Sequence, residues 1–248
     1  MARRATVIND YRSRTEHLLV LDAGDTLFGQ PASNVSEGRA LTEAMGLMKY
    51  DAMTVGEKDI GHFAFLQERS REAGFPFLSA NVRYQSTNQP VFTPYIVKDV
   101  GGRKVAIIGL SPADESFKAY APPDVIAADP VESARQYVAK ARGENVDAVI
   151  ILSHIGNALD RRIAAEVEGI TAIIGGHSYE LLQDNVKVGT TYIAQSGYNG
   201  EWLGEVIIEF DAEGKVISGR AGVLPLSEEY PDDPELAALA ARYNAQAP

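Results

Sequence analysis

Two histidines, His154 and His177, each follow a short β-branched apolar run, AVIILS and ITAIIGG. Two acidic segments, Asp22-Ala23-Gly24-Asp25 and Gly56-Glu57-Lys58-Asp59, follow the runs LLVL and DAMTV in the same way. Such runs predict strands, and ligands of α/β folds gather at the carboxyl ends of strands. A lone histidine in such a place is more often structural. Two imidazoles and two carboxylate segments at one sheet edge, however, are a donor set that suits Zn, Mn or Fe. The other two histidines read differently: His17 sits in a charged loop and His62 opens a helical stretch, so both are expected at the surface. With no cysteine in the chain, a thiolate metal site, a cysteine nucleophile and a disulfide scaffold are excluded. Neither a glycine-rich phosphate loop nor a Gly-x-Ser-x-Gly elbow is present.

The elements that must position these residues alternate through the first 175 residues, apolar runs with amphipathic stretches. That alternation predicts βαβ units, with strands at Leu18 to Asp22, Ala52 to Val55, Phe77 to Ala80, Val105 to Leu110, Ala148 to Leu152 and Ala172 to Ile174. Helical spacing of apolar residues appears at Leu41, Ala44, Met45, Met48, at Val131, Ala134, Val138, Ala141, and at Leu159, Ile163, Val167. Val91 to Lys98 and Arg103 to Leu110 read as a hairpin through Gly101-Gly102. From about residue 185, TTYIAQSG, WLGEVIIEF and KVISGRAGV read as antiparallel hairpins. The expected architecture is α/β, a two-sheet core flanked by helices, over residues 1–232, with a helix and frayed tail over 233–248.

The 248 residues carry 23 Lys+Arg and 34 Asp+Glu, a formal charge of −11, which opposes affinity for nucleic acid. Arg3, Arg4, Arg12 and Arg14 read as the solvated face of a first helix. No apolar run approaches the roughly 18 residues of a membrane span, so no membrane partner is expected. MARRATVIND lacks an apolar stretch after its basic residues, so no signal peptide is read there, and the compartment stays open.

LLVLDAGDTLFG, YDAMTVGEKDIG, FPFLSANV, VAIIGLSP, DAVIILSHIG, ITAIIGGHSY and TTYIAQSGYNGEWLGEVIIEF stand in an order that resembles the catalytic domain of the calcineurin-like metallophosphoesterases. Within them the chain is most similar to the branch of 5′-nucleotidases and UDP-sugar hydrolases, over roughly residues 2 to 211. The resemblance implies an α/β/β/α fold and two divalent metals held by Asp-x-His, Gly-Asp, Gly-Asn-His-Glu, a later His and Gly-His-x-His. Asp25 matches the carboxylate shared by both metals, His154 the later histidine, and His177 the first histidine of the last motif. The Asp-x-His motif has no counterpart. Glu57 stands in place of asparagine, Lys58 in place of the catalytic histidine, Asp59 in place of glutamate and Tyr179 in place of the last histidine.

The surviving ligands belong mostly to one of the two metals. Asp25, Glu57, His154 and His177 are therefore expected to hold a single Zn, Mn or Fe ion, one per chain. Lys58 is either a positive partner for a phosphate oxygen or a surface lysine, and Asp59 is expected to orient a ligand. Tyr179 is either a phosphate-facing hydroxyl or a ring that fills the vacated metal position. Asn199, with Tyr198, matches a loop near the family's metal site and is a candidate substrate contact. Two functions remain open: hydrolysis of a small phosphate ester, or an inactive domain that binds a ligand or a partner protein. Asp22-Ala23-Gly24-Asp25 also resembles the nucleophile loop of haloacid-dehalogenase phosphatases, but Gly24 stands where their second Asp belongs.

Overall fold

In the computed structural model, which describes residues 1–246, β-branched runs form short strands and amphipathic stretches form the helices between them. The first half comprises α1 (Ala2–Arg14), β1 (Leu21–Asp22), α2 (Pro31–Val35), α3 (Arg39–Leu47), β2 (Ala52–Thr54), α4 (Glu57–Ile60), α5 (Phe63–Glu72), β3 (Phe77–Leu78), β4 (Val82–Tyr84), β5 (Tyr95–Val100), β6 (Arg103–Leu110) and α6 (Glu115–Tyr120). The second half comprises β7 (Val125–Ala127), α7 (Pro130–Arg142), β8 (Ala148–Ser153), α8 (Asn157–Glu166), β9 (Ala172–Gly175), β10 (Val186–Val188), β11 (Thr191–Gln195), β12 (Trp202–Phe210), β13 (Val216–Pro225) and α9 (Pro234–Asn244). No described helix is long and apolar enough to cross a membrane.

Two sheets build the core: β1-β2-β3, all parallel, and β10-β11-β9-β8-β6-β5, parallel through its centre. Side chains alternate along the central strands. Val105, Ile107, Ala148 and Leu152 face the first sheet's Ala52 and Leu78, while Ala106, Ile108, Val149 and Ile151 face Val131, Ala134 and Val138 of α7 and Ile163 of α8. Met53 and Phe77 turn to the other side of the first sheet, where Ile8 of α1, Met45 of α3, Leu66 of α5 and Leu239 of α9 cover them. The result is the expected layering of helices, sheet, sheet and helices. Because the central strands are buried on both faces, they read as unbroken apolar runs.

Local signals set several boundaries. Asp129 caps α7 through Val131 N–H (2.8 Å) and Glu132 N–H (3.0 Å), with Pro130 in the first turn. Asp233 and Pro234 repeat the device at α9. β1 is shorter than the run Leu18 to Asp22, because Val20 N–H donates to the Asp51 side chain (2.8 Å).

Other expectations need correction. TTYIAQSG does not pair with WLGEVIIEF: β11 lies parallel to β9 and antiparallel to β10, and every residue of it is buried. β12 and β13 form their own antiparallel ribbon. β4 and β7 form a small antiparallel pair that the periodicity did not announce. The middle hairpin starts at Tyr95 rather than Val91. Nor is the arginine face of α1 wholly solvated, since Arg4 reaches the Tyr50 hydroxyl (3.2 Å) and Arg12 the carbonyls of Met48 (2.7 Å) and Lys49 (2.8 Å).

α9 packs on α1, α2 and α3 and contributes Leu236 and Leu239 to the core beneath the first sheet. The frayed end expected at Pro248 lies outside the described residues. Leu236 is 4% exposed, so Leu236→Ala is expected to destabilise the protein by about 2–5 kcal/mol in urea unfolding. A change below about 0.5 kcal/mol would show α9 to be a detachable tail.

Candidate metal centre

Parallel pairing brings the chemistry to one edge. β8 and β9 run in register as far as Ser153 opposite Gly175, so His154 and His177 leave neighbouring strand ends. β1 and β2 pair at Asp22 with Met53, and the loops beyond them carry Asp25 and Glu57. Glu57, His154 and His177 each offer a ligand atom, and these atoms lie within 4.8 Å of one another. Asp25 falls outside that triad but abuts it, its Oδ2 3.4 Å from His154 Nε2.

His154 organises the group. Its ring is 3% exposed, and Nδ1 lies 2.5 Å from the Ala23 carbonyl, which makes Nδ1–H the donor. Nε2 is left 3.2 Å from Glu57 Oε2 and 3.4 Å from Asp25 Oδ2, buried and without a hydrogen bond to either. His177 is less buried; its Nδ1 lies 3.2 Å from Glu57 Oε2 and its Nε2 3.9 Å from Asp114 Oδ2.

The backbone supports this with tight loops. Asp59 is fully buried, and its Oδ2 accepts from Asp25 N–H (2.8 Å) and Gly56 N–H (3.1 Å), joining the loops after β1 and β2. A Cβ at Gly176 would stand 2.9 Å from the Ala23 carbonyl and 3.0 Å from His154 Nδ1, so only glycine lets these strands close on the imidazole. Asp25, His177, Tyr179 and Asn199 all adopt positive φ (56°, 74°, 58° and 56°), half of the eight non-glycine cases among the described residues. Left-handed backbone of this kind is uncommon and tends to gather at functional sites.

Lys58 sits on the rim. Its N–H donates to Asp25 Oδ1 (2.9 Å), and its Nζ lies 3.6 Å from Asp25 Oδ2 and donates to the Tyr179 hydroxyl (2.8 Å). Tyr179 is 55% exposed, so its ring does not fill an interior position as one reading expected; it leans on Lys58 and, edge to face, on Tyr198. Asn199 is exposed on the turn beyond Tyr198, and no side-chain hydrogen bond ties it to the cluster among the described residues. His17 and His62 are exposed, His62 stacking on Phe28. Asp22, the alternative nucleophile, closes its own loop by accepting from Gly24 N–H (3.0 Å) and Thr26 Oγ1 (2.6 Å).

Three supporting residues escaped the sequence reading. Asp114 stands four residues past β6, so the strand-end rule applied to that segment would have found it. Asp160, on the buried face of α8, accepts from Ser153 Oγ (2.5 Å) behind His154. Gln195, with its amide oxygen turned to the loop, accepts from Tyr179 N–H (3.1 Å) and Glu180 N–H (3.0 Å).

Burial and charge together set the protonation of the cluster. Burial disfavours a charged His154, but Asp25 and Glu57 overcome this and push the ring up to about 10. Burial likewise opposes a charged Glu57, yet the two imidazoles hold it below the usual carboxylate range. A proton on imidazole thus supplies positive charge that the carboxylates demand. A divalent ion supplies more, and two imidazoles with carboxylate oxygens are a chemically fitting set for one.

The chain is 34% identical to the trifunctional nucleotide phosphoesterase YfkN of Bacillus subtilis over 94% of its own length, and 30% identical to human 5′-nucleotidase over 96%. The structure of a 5′-nucleotidase precursor from Thermus thermophilus superposes with a TM-score of 0.89 at 28% identity, covering 98% of this chain and 52% of that one. The chain is a homologue of the calcineurin-like phosphoesterases of 5′-nucleotidase type. It spans 19% of the Bacillus phosphoesterase and 46% of the human nucleotidase. No family model matches.

Behind the phosphoesterase-like edge, burial raises Asp160 to about 7, against an ordinary carboxylate value near 3.9 in an unfolded chain. Between those values the folded state holds a proton that the unfolded state has lost. Stability contributed by Asp160 is therefore complete below about pH 4 and declines as pH rises to about 7, by up to about 1.4 kcal/mol per pH unit. Asp160→Asn should remove that slope in denaturant titrations at pH 5, 6 and 7. An unchanged slope would place the proton elsewhere.

Proposed function

We propose that this chain binds one divalent metal ion through Glu57, His154 and His177, with Asp25 beside them, and hydrolyses small phosphate esters, nucleotides among them. The observation that carries this is His154 Nε2, buried beside two carboxylates without a hydrogen bond while Nδ1 is fixed on the Ala23 carbonyl. With Nδ1–H fixed on the Ala23 carbonyl, Nε2 is the nitrogen at which a metal would replace the proton. When bound, Mn, Zn or Fe would supply Lewis acidity toward a phosphoryl oxygen and make water more acidic.

The chain's own groups do the rest. Asp59 holds the Asp25 backbone in place, and the Asp25 carboxylate positions Lys58 through its N–H. Hydrogen bonding to Tyr179, with Asp25 nearby, raises the Lys58 pKa, so the ammonium stays charged. It offers N–H donors to a phosphoryl oxygen as a point charge, without the acid/base range of a histidine. The nucleotide phosphoesterase and nucleotidase named among the relatives support the substrate class.

One observation favours a second reading, a domain that binds a ligand or protein without turnover. Lys58 already engages Asp25 and Tyr179, which weakens the claim of a substrate phosphate on its charge.

Elemental analysis after incubation with Mn, Zn or Fe is expected to show one ion per chain, and none in the His154→Ala/His177→Ala variant. Full metal content in that variant would overturn the site. Metal-dependent turnover of p-nitrophenyl phosphate, lost in Asp25→Asn, would establish the hydrolase; bound metal without turnover would leave the binding domain.

A further inference from the structure

We propose that the cavity between the β4–β7 pair and the first half of α7 is a second binding site, which takes a small organic monocarboxylate with its carboxylate on Arg83. The cavity measures about 320 Å³, and none of Asp25, Glu57, His154 or His177 lines it. Its volume is that of a site for a small molecule. The site stands whether or not the metal edge turns over phosphate esters.

Arg83 carries the inference. Four buried side-chain polar atoms among the described residues lack a hydrogen bond: Arg69 Nε, Arg83 Nε, His154 Nε2 and Asp160 Oδ2. Three of them belong to groups that are otherwise engaged. The Arg69 guanidinium lies 2.9 Å from Glu68 and 3.1 Å from Glu72, His154 faces two carboxylates, and Asp160 accepts from Ser153 at its other oxygen. Arg83 alone is left over: its half-buried guanidinium makes no ion pair and no hydrogen bond among the described residues. A guanidinium keeps its charge in a protein, so a shielded N–H there calls for an acceptor.

The other polar groups of the cavity fall into two sets. Asn81 is spent, since its amide donates to the carbonyls of Ser111 (2.8 Å) and Ala128 (3.2 Å) and its oxygen accepts from Ser111 N–H (2.9 Å). Ser133 Oγ donates to the Asp129 carbonyl (2.8 Å), and the Asp129 carboxylate caps α7. Gln136 and Tyr137 make no side-chain hydrogen bond among the described residues, and with Ser133 they stand at i, i+3 and i+4 on the face of α7 that lines the cavity. An amide and a phenol thus accompany the guanidinium as donors with no other task.

Charge and shape select the ligand. A guanidinium presents two parallel N–H donors that match a carboxylate. Asp129 and Glu132 line the same cavity without pairing with Arg83, Glu132 lying 3.6 Å from Arg135 instead. A dianion such as phosphate therefore meets two like charges, and a monoanion is repelled less. Val82, Pro90 and the Tyr137 ring supply apolar wall for a short hydrocarbon or ring body.

Benzoate, benzamide and inorganic phosphate are titrated separately into the 15N-labelled, Zn-supplied protein, and backbone amide resonances are followed by NMR. Benzoate is expected to move the resonances of Val82, Arg83, Ala128 and Gln136 saturably. Arg83→Gln should weaken that binding about 10- to 100-fold and Gln136→Leu about 2- to 10-fold. Benzamide keeps the ring and loses the charge, and both it and phosphate are expected to bind there at least about tenfold more weakly than benzoate. No saturable shift at those residues, shifts confined to Glu57, His154 and His177, or benzamide binding as tightly as benzoate would each overturn the site. Phosphate binding there as tightly as benzoate would overturn the monocarboxylate class. If Arg83→Gln does not fold, Gln136→Leu, a change at an exposed position, decides: unchanged benzoate affinity in it would overturn the placement.

Discussion

The buried imidazole of His154 is the constraint around which this edge of the molecule is built. An imidazole beside two carboxylates in a site almost closed to water is tolerable only if the charges balance and each polar atom is placed. One ring nitrogen is settled by the Ala23 carbonyl. The other faces Glu57 and Asp25, which lie on loops from the opposite sheet. The two sheets must therefore keep a fixed offset, and the apolar layer of Ile107, Leu152 and Leu78 between them is what keeps it. Core packing and site electrostatics are here one problem: a shift between the sheets would leave a charged group buried without its partner.

The loops carry the local cost. Left-handed backbone at Asp25, His177 and Tyr179 is worth roughly 1–3 kcal/mol of strain each, and it persists only where surrounding contacts overdetermine it. Those contacts are visible. Asp59 takes backbone donors from Gly56, Asp25 and Leu27, and Gln195 holds the loop of Tyr179. Both supports are buried polar side chains that face no solvent, so their hydrogen bonds are made at full strength.

Legibility in the sequence followed the physics of each feature. Strands buried on both faces announced themselves as apolar runs; their carboxyl ends marked His154, His177 and two acidic segments, within which the family resemblance singled out Asp25 and Glu57. Pairing partners were less readable, because β11 has the composition of a hairpin strand and nothing in its residues says that β9 lies beside it. The short β4–β7 pair joins segments forty residues apart, and periodicity reports only neighbours. Asp160 and Gln195 were invisible for a related reason: each acts through a contact to another element, and a polar residue on a helix or strand face does not state what it meets. Tyr179 is the instructive case. Its position in the motif was legible, but whether the ring turned inward or outward depended on a φ angle.

Glu57 and Lys58 can be weighed together. The resemblance places a neutral asparagine and a histidine at these two positions, and a glutamate beside a lysine leaves their summed charge near where it was. What changes is the direction of the charge. Glu57 is 6% exposed and points its carboxylate at both imidazoles, while the Lys58 side chain is 42% exposed and carries its ammonium to the rim. The interior therefore becomes more negative, which strengthens attraction for a cation and reduces the acidity that the cation can lend to water. The rim becomes more positive, which favours arrival of an anionic ester. On the proposed metal-bound reading, the pair shifts the balance from rate of chemistry toward capture of ion and ester.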